Sequence, residues 1–166
     1  MSNLFTPVGR LLWPKLVTPS EMSGKFEVTV VFDPGTDMSQ LEAAADATAK
    51  AKWPDGLPAD LTMPFRTGDE EKGPHLAGRT YICARSKTQP QIVGAQVQPI
   101  DPEDIGGIYG GCHGRASVSP FAYDVSGNKG VSFSLNNVQK SHDGDRVGGR
   151  MTAEEEFNEL PQESLL

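Results

Sequence analysis

Apolar residues in this chain recur mostly at every second position, the period of a half-buried β-strand. The clearest case lies between Gly110 and Arg150. In a run from Arg115 to Tyr123, Ala116 and Val118 fall on one side, and Arg115, Ser117, Ser119, Phe121 and Tyr123 on the other. In a run from Gly130 to Val138, Val131, Phe133 and Leu135 share one side, with Ser132, Ser134 and Asn136 opposite. Ser126-Gly127-Asn128-Lys129-Gly130 joins the two runs with residues that tolerate positive φ, which predicts a hairpin. One face of it can be buried. The other presents an arginine, hydroxyls, amides and two rings, a pattern shared by ordinary half-solvated hairpins and by surfaces that stack bases.

Elsewhere the same period predicts strands over Gly9 to Leu16, Lys25 to Phe32 and Arg79 to Lys87, with a short one at Gln91-Ile92-Val93. In the first, Leu12, Pro14 and Leu16 alternate with Leu11, Trp13 and Lys15; Pro14 argues for an edge or a bulge. Trp13 is expected in the core, the alternative being a stacking platform beside Lys15. In the second, Phe26, Val28, Val30 and Phe32 should face inward, and Pro34-Gly35 stops the run. In the third, Tyr81, Cys83, Arg85 and Lys87 share one side, a ring and two cations in a row. Ser39 to Lys52 is the one predicted helix: Ser39 and Glu42 match a capping box, alanines fill the interior, and Trp53-Pro54 ends it. Its apolar stripe of Leu41, Ala45 and Thr48 is thin, which suits a helix that flanks or plugs a barrel. Trp53 to Gly78 and Gln98 to Gly111 read as loops. Thr152 and Glu155 make a second capping box, so a short helix is expected to reach Phe157, with disorder beyond.

Charge sharpens this picture. The chain has 166 residues and a net charge of −7, which taken whole argues against a nucleic-acid binder. All 15 Lys and Arg lie at or before Arg150, however, while Glu154, Glu155, Glu156, Glu159 and Glu163 follow it. Without those five, 17 acids face 15 bases, so residues 1–150 are close to neutral and 151–166 form an acidic tail. No apolar run is long enough to cross a bilayer, and no secretory signal opens the chain, so a cytoplasmic protein is expected. Cys83 and Cys112 lack CxxC spacing; a reducing compartment fits, and a single bridge between them stays open.

Catalytic chemistry finds little support. Asp69, Glu70 and Glu71 lack a histidine at ligand spacing and read as a solvated acidic turn, so no metal is expected. Gly106, Gly107, Gly110 and Gly111 are not followed by GK[ST]. His75, His113 and His142 sit in no catalytic motif, and Cys112 and His113, being adjacent on a strand, point to opposite faces. The expectation is a binding protein, not an enzyme.

A series of segments then gains meaning from its order: Arg66-Thr67-Gly68-Asp69-Glu70-Glu71; Ala84-Arg85-Ser86-Lys87-Thr88 with Pro90 and Ile92-Val93; Gly111-Cys112-His113-Gly114-Arg115; Gly127-Asn128-Lys129-Gly130; Leu135-Asn136-Asn137-Val138-Gln139-Lys140; Gly148-Gly149-Arg150 and an acidic end. This series resembles a family of bacteriophage single-stranded DNA-binding proteins once catalogued as a domain of unknown function, and it spans about Arg10 to Phe157. The resemblance implies a mainly β, OB-fold-like five-stranded Greek-key barrel with one helix, long loops and an acidic C-terminal tail. It also implies a role in phage DNA replication or recombination with no cofactor, single-stranded DNA as partner, and a tail that competes with DNA or docks on replication or recombination proteins. Many tails of this class end in phenylalanine, whereas this one ends in Leu165-Leu166.

Rings that stack bases and cations that hold phosphates are expected to form the binding surface. The candidates are Tyr81, Arg85 and Lys87 on the third strand, Arg115, Phe121 and Tyr123 on the next, and Lys129 and Lys140 around the hairpin, with Lys15 and Arg150 as further cations. Asn136 and Asn137 are alternatives for holding turn geometry. Two other readings are weighed: a phage structural or protein-interaction module without DNA affinity, and a nuclease using Asp69, Glu70 and a histidine. Monomer and homodimer are both open.

Overall fold

Alternation along the chain becomes alternation of burial. In the computed structural model, which describes residues 4–69, 74–104, 106–147 and 157–160, the chain forms strands β1 (Leu4–Phe5), β2 (Gly9–Lys15) and β3 (Phe26–Phe32), then helix α1 (Ser39–Lys52). Strands β4 (Arg66–Thr67), β5 (Thr80–Ser86), β6 (Gln91–Val93), β7 (His113–Val125) and β8 (Asn128–His142) follow. Val28, Val30 and Phe32 of β3, Ile82 and Ala84 of β5, Ala116 and Val118 of β7, and Val131, Phe133 and Leu135 of β8 all point into one core. Burial of such side chains contributes roughly 1.5–3 kcal/mol each and is the main reason the sheet closes.

Closure runs β2–β3–β5–β8–β7 and back to β2, a ring of five strands. Every contact in the ring is antiparallel except β5–β8, which is parallel at Ala84↔Phe133 and Arg85↔Ser134. β1 extends the sheet beside β7, and β6 lies parallel to β8. The expected mainly β, five-stranded barrel with one helix is therefore what the chain builds. α1 packs on β7, β8 and β1 through Leu41, Ala45 and Ala49, a four-residue spacing that keeps them on one face.

Several local expectations change. Ser39 does not cap α1: it is the first helical residue, and its N–H donates to Asp37 Oδ1 at 3.0 Å. Bonds from the Ser39 hydroxyl and N–H hold the Asp37 carboxyl below its usual pKa. Thr48 does not belong to the buried stripe, where Ala49 stands instead; its hydroxyl donates to the Ala44 carbonyl at 2.9 Å. The segment after α1 is more ordered than a loop. Thr62 bridges to Gly130, and Phe65 sets its ring edge-on against Phe133 with centroids 5.9 Å apart.

Trp13 is not in the core. One extra residue enters β2 between Leu12, opposite Thr29, and Lys15, opposite Glu27. This is the bulge that Pro14 foreshadowed. It flips the parity of the strand: Leu11 and Leu16 face the core, and Lys15 turns outward. Trp13 takes up the bend at φ 48° and stays 47% exposed. A second bulge at Asn136 does the same in β8, returning Val138 to the core.

Both cysteines are free thiols. Among the described residues, no helix is long and apolar enough to cross a membrane. Residues 157–160 are exposed and irregular. Glu70, Glu71, Arg150, the Thr152–Glu155 capping box and the tail residues other than 157–160 lie outside the described residues.

Candidate nucleic-acid interface

With Val28, Val30, Ile82 and Ala84 turned inward, their neighbours on β3 and β5 must face out. Across the β3–β5 ladder, Val31 lies opposite Tyr81, Thr29 opposite Cys83, and Glu27 opposite Arg85. The β2 bulge adds Trp13 and Lys15 to this outward surface. Opposite it stands the tip of the β7–β8 hairpin, with Phe121, Tyr123 and Val125. The third wall is the segment from Thr62 to Arg66. Together they enclose an open groove of about 700 Å³.

The hairpin wall is held from behind. Thr62 N–H donates to the Lys129 carbonyl at 3.0 Å, and Val131 N–H donates to the Thr62 carbonyl at 2.9 Å. Gly130, between them, has no side chain because the Tyr123 hydroxyl and the Thr62 carbonyl occupy that space. The Tyr123 ring is thus seated over Gly130, with no room for a methyl group beneath it.

Four rings or ring systems line the groove, those of Trp13, Tyr81, Phe121 and Tyr123. Among the described residues four cations line it as well, Lys15, Lys25, Arg66 and Arg85, against one carboxylate, Glu27. The Glu27 side chain is only 17% exposed, and its Oε2 lies 3.2 Å from Arg85 Nε. The Cys83 thiol donates to the same oxygen at 3.3 Å. Burial, first of all, pushes the Cys83 thiol pKa up, so it stays protonated and neutral. The surface is positive inside an acidic chain, and it alternates rings with charge. Such a surface can stack flat apolar groups and hold anions between them.

The candidate residues read from the sequence do not form one surface. Tyr81, Arg85, Phe121, Tyr123 and Lys15 meet in the groove. Lys87 lies exposed just beyond β5, and Lys129 sits near the hairpin turn opposite Asp124; neither lines the groove. Lys140 is at the far end of β8, paired with Asp143 and 5.2 Å from the Tyr109 ring centroid. Arg115 stands over Phe5 in a separate cleft. Lys25 and Arg66 were not among the candidates, and Trp13 entered only as the alternative to a core position. Pro14 signalled the bulge that exposes Trp13, but nothing local marks Arg66, which reaches the groove only because β4 pairs with β5.

Known proteins resemble this chain in sequence and in fold. Residues 3–165 match the profile of a family described as the ssDNA-binding protein of Enterobacter phage Enc34. Protein p50 of Acyrthosiphon pisum secondary endosymbiont phage 1 is 30% identical over 170 residues, covering 91% of this chain and 90% of its own. Among solved structures, the single-stranded DNA-binding protein of bacteriophage Enc34 in complex with ssDNA superposes with a TM-score of 0.75 at 22% identity, over 88% of this chain and 89% of that one. The bacteriophage T7 single-stranded DNA binding protein gp2.5 superposes with a TM-score of 0.57 at 16% identity, over 90% of this chain and 99% of that one. At those identities the two superpositions speak to the fold; the profile, which spans nearly the whole sequence, establishes that the chain belongs to the Enc34-type family of phage ssDNA-binding proteins.

Proposed function

We propose that this protein binds single-stranded DNA without sequence preference along the groove between Trp13 and Tyr123, in phage DNA replication or recombination and without catalysis. The observation that carries the reading is the convergence of four rings and four cations on one groove in a chain of net charge −7. Bases stack on the rings at roughly 1–3 kcal/mol each, whatever their identity, because every base has a π face. Lys15, Lys25, Arg66 and Arg85 contact phosphates, and counterion release makes that contribution fall with salt. An OB-type barrel suits the task because its rigid outward face holds the rings while the hairpin tip closes over the strand.

The acidic tail modulates this binding. Val147 N–H donates to the Gly110 carbonyl at 2.8 Å, and its side chain packs in the small cluster that contains Tyr81. The chain thus leaves the barrel beside the groove. From Val147 to Glu154 it can extend about 25 Å, enough to bring glutamates to the groove cations.

Fluorescence anisotropy of labelled oligo-dT, at low and high salt and with duplex competitor, tests the function. Tight binding that weakens with salt and resists duplex is expected. Absence of binding at low salt, with residues after Arg150 also removed, overturns it in favour of a protein-interaction module. Removal of those residues should raise affinity; an unchanged value sinks the tail's role.

A further inference from the structure

Arg115 heads a second cleft of about 610 Å³ on the outward face of β7 and β8. Its floor is Arg115, Ser117 and Ser119 beside Asn136, Asn137 and Gln139. Phe5 and Val97, 40% and 68% exposed, form apolar rims. The β8 bulge shapes the floor: Ser117 pairs with Asn137 and Val118 with Leu135, so Asn136 is the extra residue and both amides stand outward.

Much of its polar capacity is unspent. Arg115 Nε donates to Gln139 Oε1 at 2.9 Å, and the guanidinium lies 4.6 Å from the Phe5 ring centroid. The terminal nitrogens of Arg115 have no hydrogen-bond partner among the described residues. Asn137 accepts the Gln91 N–H through Oδ1, which leaves its amide hydrogens. Asn136 donates to Ser119 Oγ, which leaves its Oδ1 as an acceptor. Among the described residues no Asp or Glu lines the cleft, so none of them compensates the Arg115 charge there.

A ring stacked on a guanidinium, amides of both polarities and one open positive charge match a nucleotide, its base on the ring and amides and its phosphate on the arginine. An apolar peptide would leave the amides unpaired, at a cost. Position agrees. Ser119 is two residues from Phe121 on the same face of β7, about 7 Å away, so a strand leaving the groove past Phe121 meets this cleft next. We infer that the Arg115 cleft is a second subsite that takes a nucleotide of the same single strand that occupies the groove, an inference that rests on the groove reading above.

The test titrates the full chain with oligo-dT of about 4 to about 16 nucleotides, a range that brackets one barrel's site. Wild type should gain about tenfold or more in affinity between the shortest and longest. Arg115→Ala, and Phe5→Leu which keeps the apolar rim, should bind the shortest oligonucleotide like wild type and lose most of that gain. A 5-iodouracil near one end of the longest oligonucleotide should crosslink to Phe5. A gain that survives in both variants, without the crosslink, overturns the subsite while the groove stands, and assigns the cleft to a protein segment. Failure of wild type to bind any length overturns the groove reading instead.

Discussion

Glu27 and Arg85 face each other across β3 and β5 on the outward surface, carboxylate Oε2 3.2 Å from guanidinium Nε, within a groove whose other described charged residues are cations. The acid occupies a cation that could hold a phosphate and repels the strand as well. Glu27→Gln is therefore expected to raise oligo-dT affinity several-fold and to steepen the slope of log K against log salt by up to about one contact. Because Arg85 is 46% exposed, loss of the pair should change stability by less than about 1 kcal/mol. Anisotropy across a salt series, with urea unfolding alongside, checks both; reduced affinity would mean that Glu27 orients Arg85 for DNA.

Trp13 offers an optical readout. The chain has two tryptophans, Trp13 exposed at the groove and Trp53 packed against the core. Single-stranded DNA should quench the emission of Trp13 and leave Trp53 little changed, so Trp13→Phe should abolish most of the quenching. Trp13→Ala leaves the left-handed backbone strain in place while removing the ring, and should weaken binding by about 1–3 kcal/mol. Quenching that persists in Trp13→Phe would place the stacking elsewhere.

Gly130 couples stability to the site. A Cβ there would stand 2.6 Å from the Thr62 carbonyl oxygen and would strike the Tyr123 hydroxyl. Gly130→Ala should cost about 1–3 kcal/mol of stability by overpacking and, by lifting Tyr123, should also weaken oligonucleotide binding. Urea unfolding measures the first and anisotropy the second. Gly127→Ala, with open space around it at φ 84°, should cost stability through backbone strain alone and leave affinity unchanged.

His113 sets a pH dependence. Its ring stacks on His142, with centroids 4.4 Å apart and planes 9° from parallel. Burial holds its pKa below the ordinary value, and the positive fields of His142 and then Arg10 add to this, with Asp33 opposing. The unfolded chain therefore takes up the proton first. Stability is full above the unfolded value of about 6.5 and is lost as pH falls through the lower folded pKa. His142→Phe keeps a stacked ring without the charge, and should shrink the loss without removing it, since burial is the larger cause. Urea midpoints measured from about pH 8 to about pH 5 decide this; an unchanged pH profile would leave the shift to burial and Arg10.

Much of the barrel was legible in the chain because period-two alternation reports directly on burial. The inward rows Val28-Val30-Phe32 of β3, Ile82-Ala84 of β5, Ala116-Val118 of β7 and Val131-Phe133-Leu135 of β8 follow it, while Phe26, expected inward as well, stays half-buried outside the core. The bulges were harder. Pro14 hinted at one, but a single inserted residue at Trp13 reversed the faces of everything after it in β2, and the Asn136 bulge carries no proline or glycine to announce it. The Ser39 capping box failed because the helix starts one residue earlier than it requires: Met38 is the N-cap, Ser39 is already helical, and Asp37 takes the Ser39 N–H.

What the sequence determined by itself was which side chains lie inside and which outside along the strands up to their bulges, where the chain turns, and that no base follows Arg150 while five acids do. These depend on local spacing, on Gly and Pro, and on composition. What the tertiary structure decided was which outward residues share a surface. Arg115 and Tyr123 lie on one face of one strand, yet the first looks onto Phe5 and the second onto Trp13 and Tyr81, because a strand of 13 residues spans different parts of a closed barrel. The parallel β5–β8 contact closes that barrel, and β4 carries Arg66 to its groove. Pairings between distant segments answer to how well the whole core packs, which no local pattern encodes.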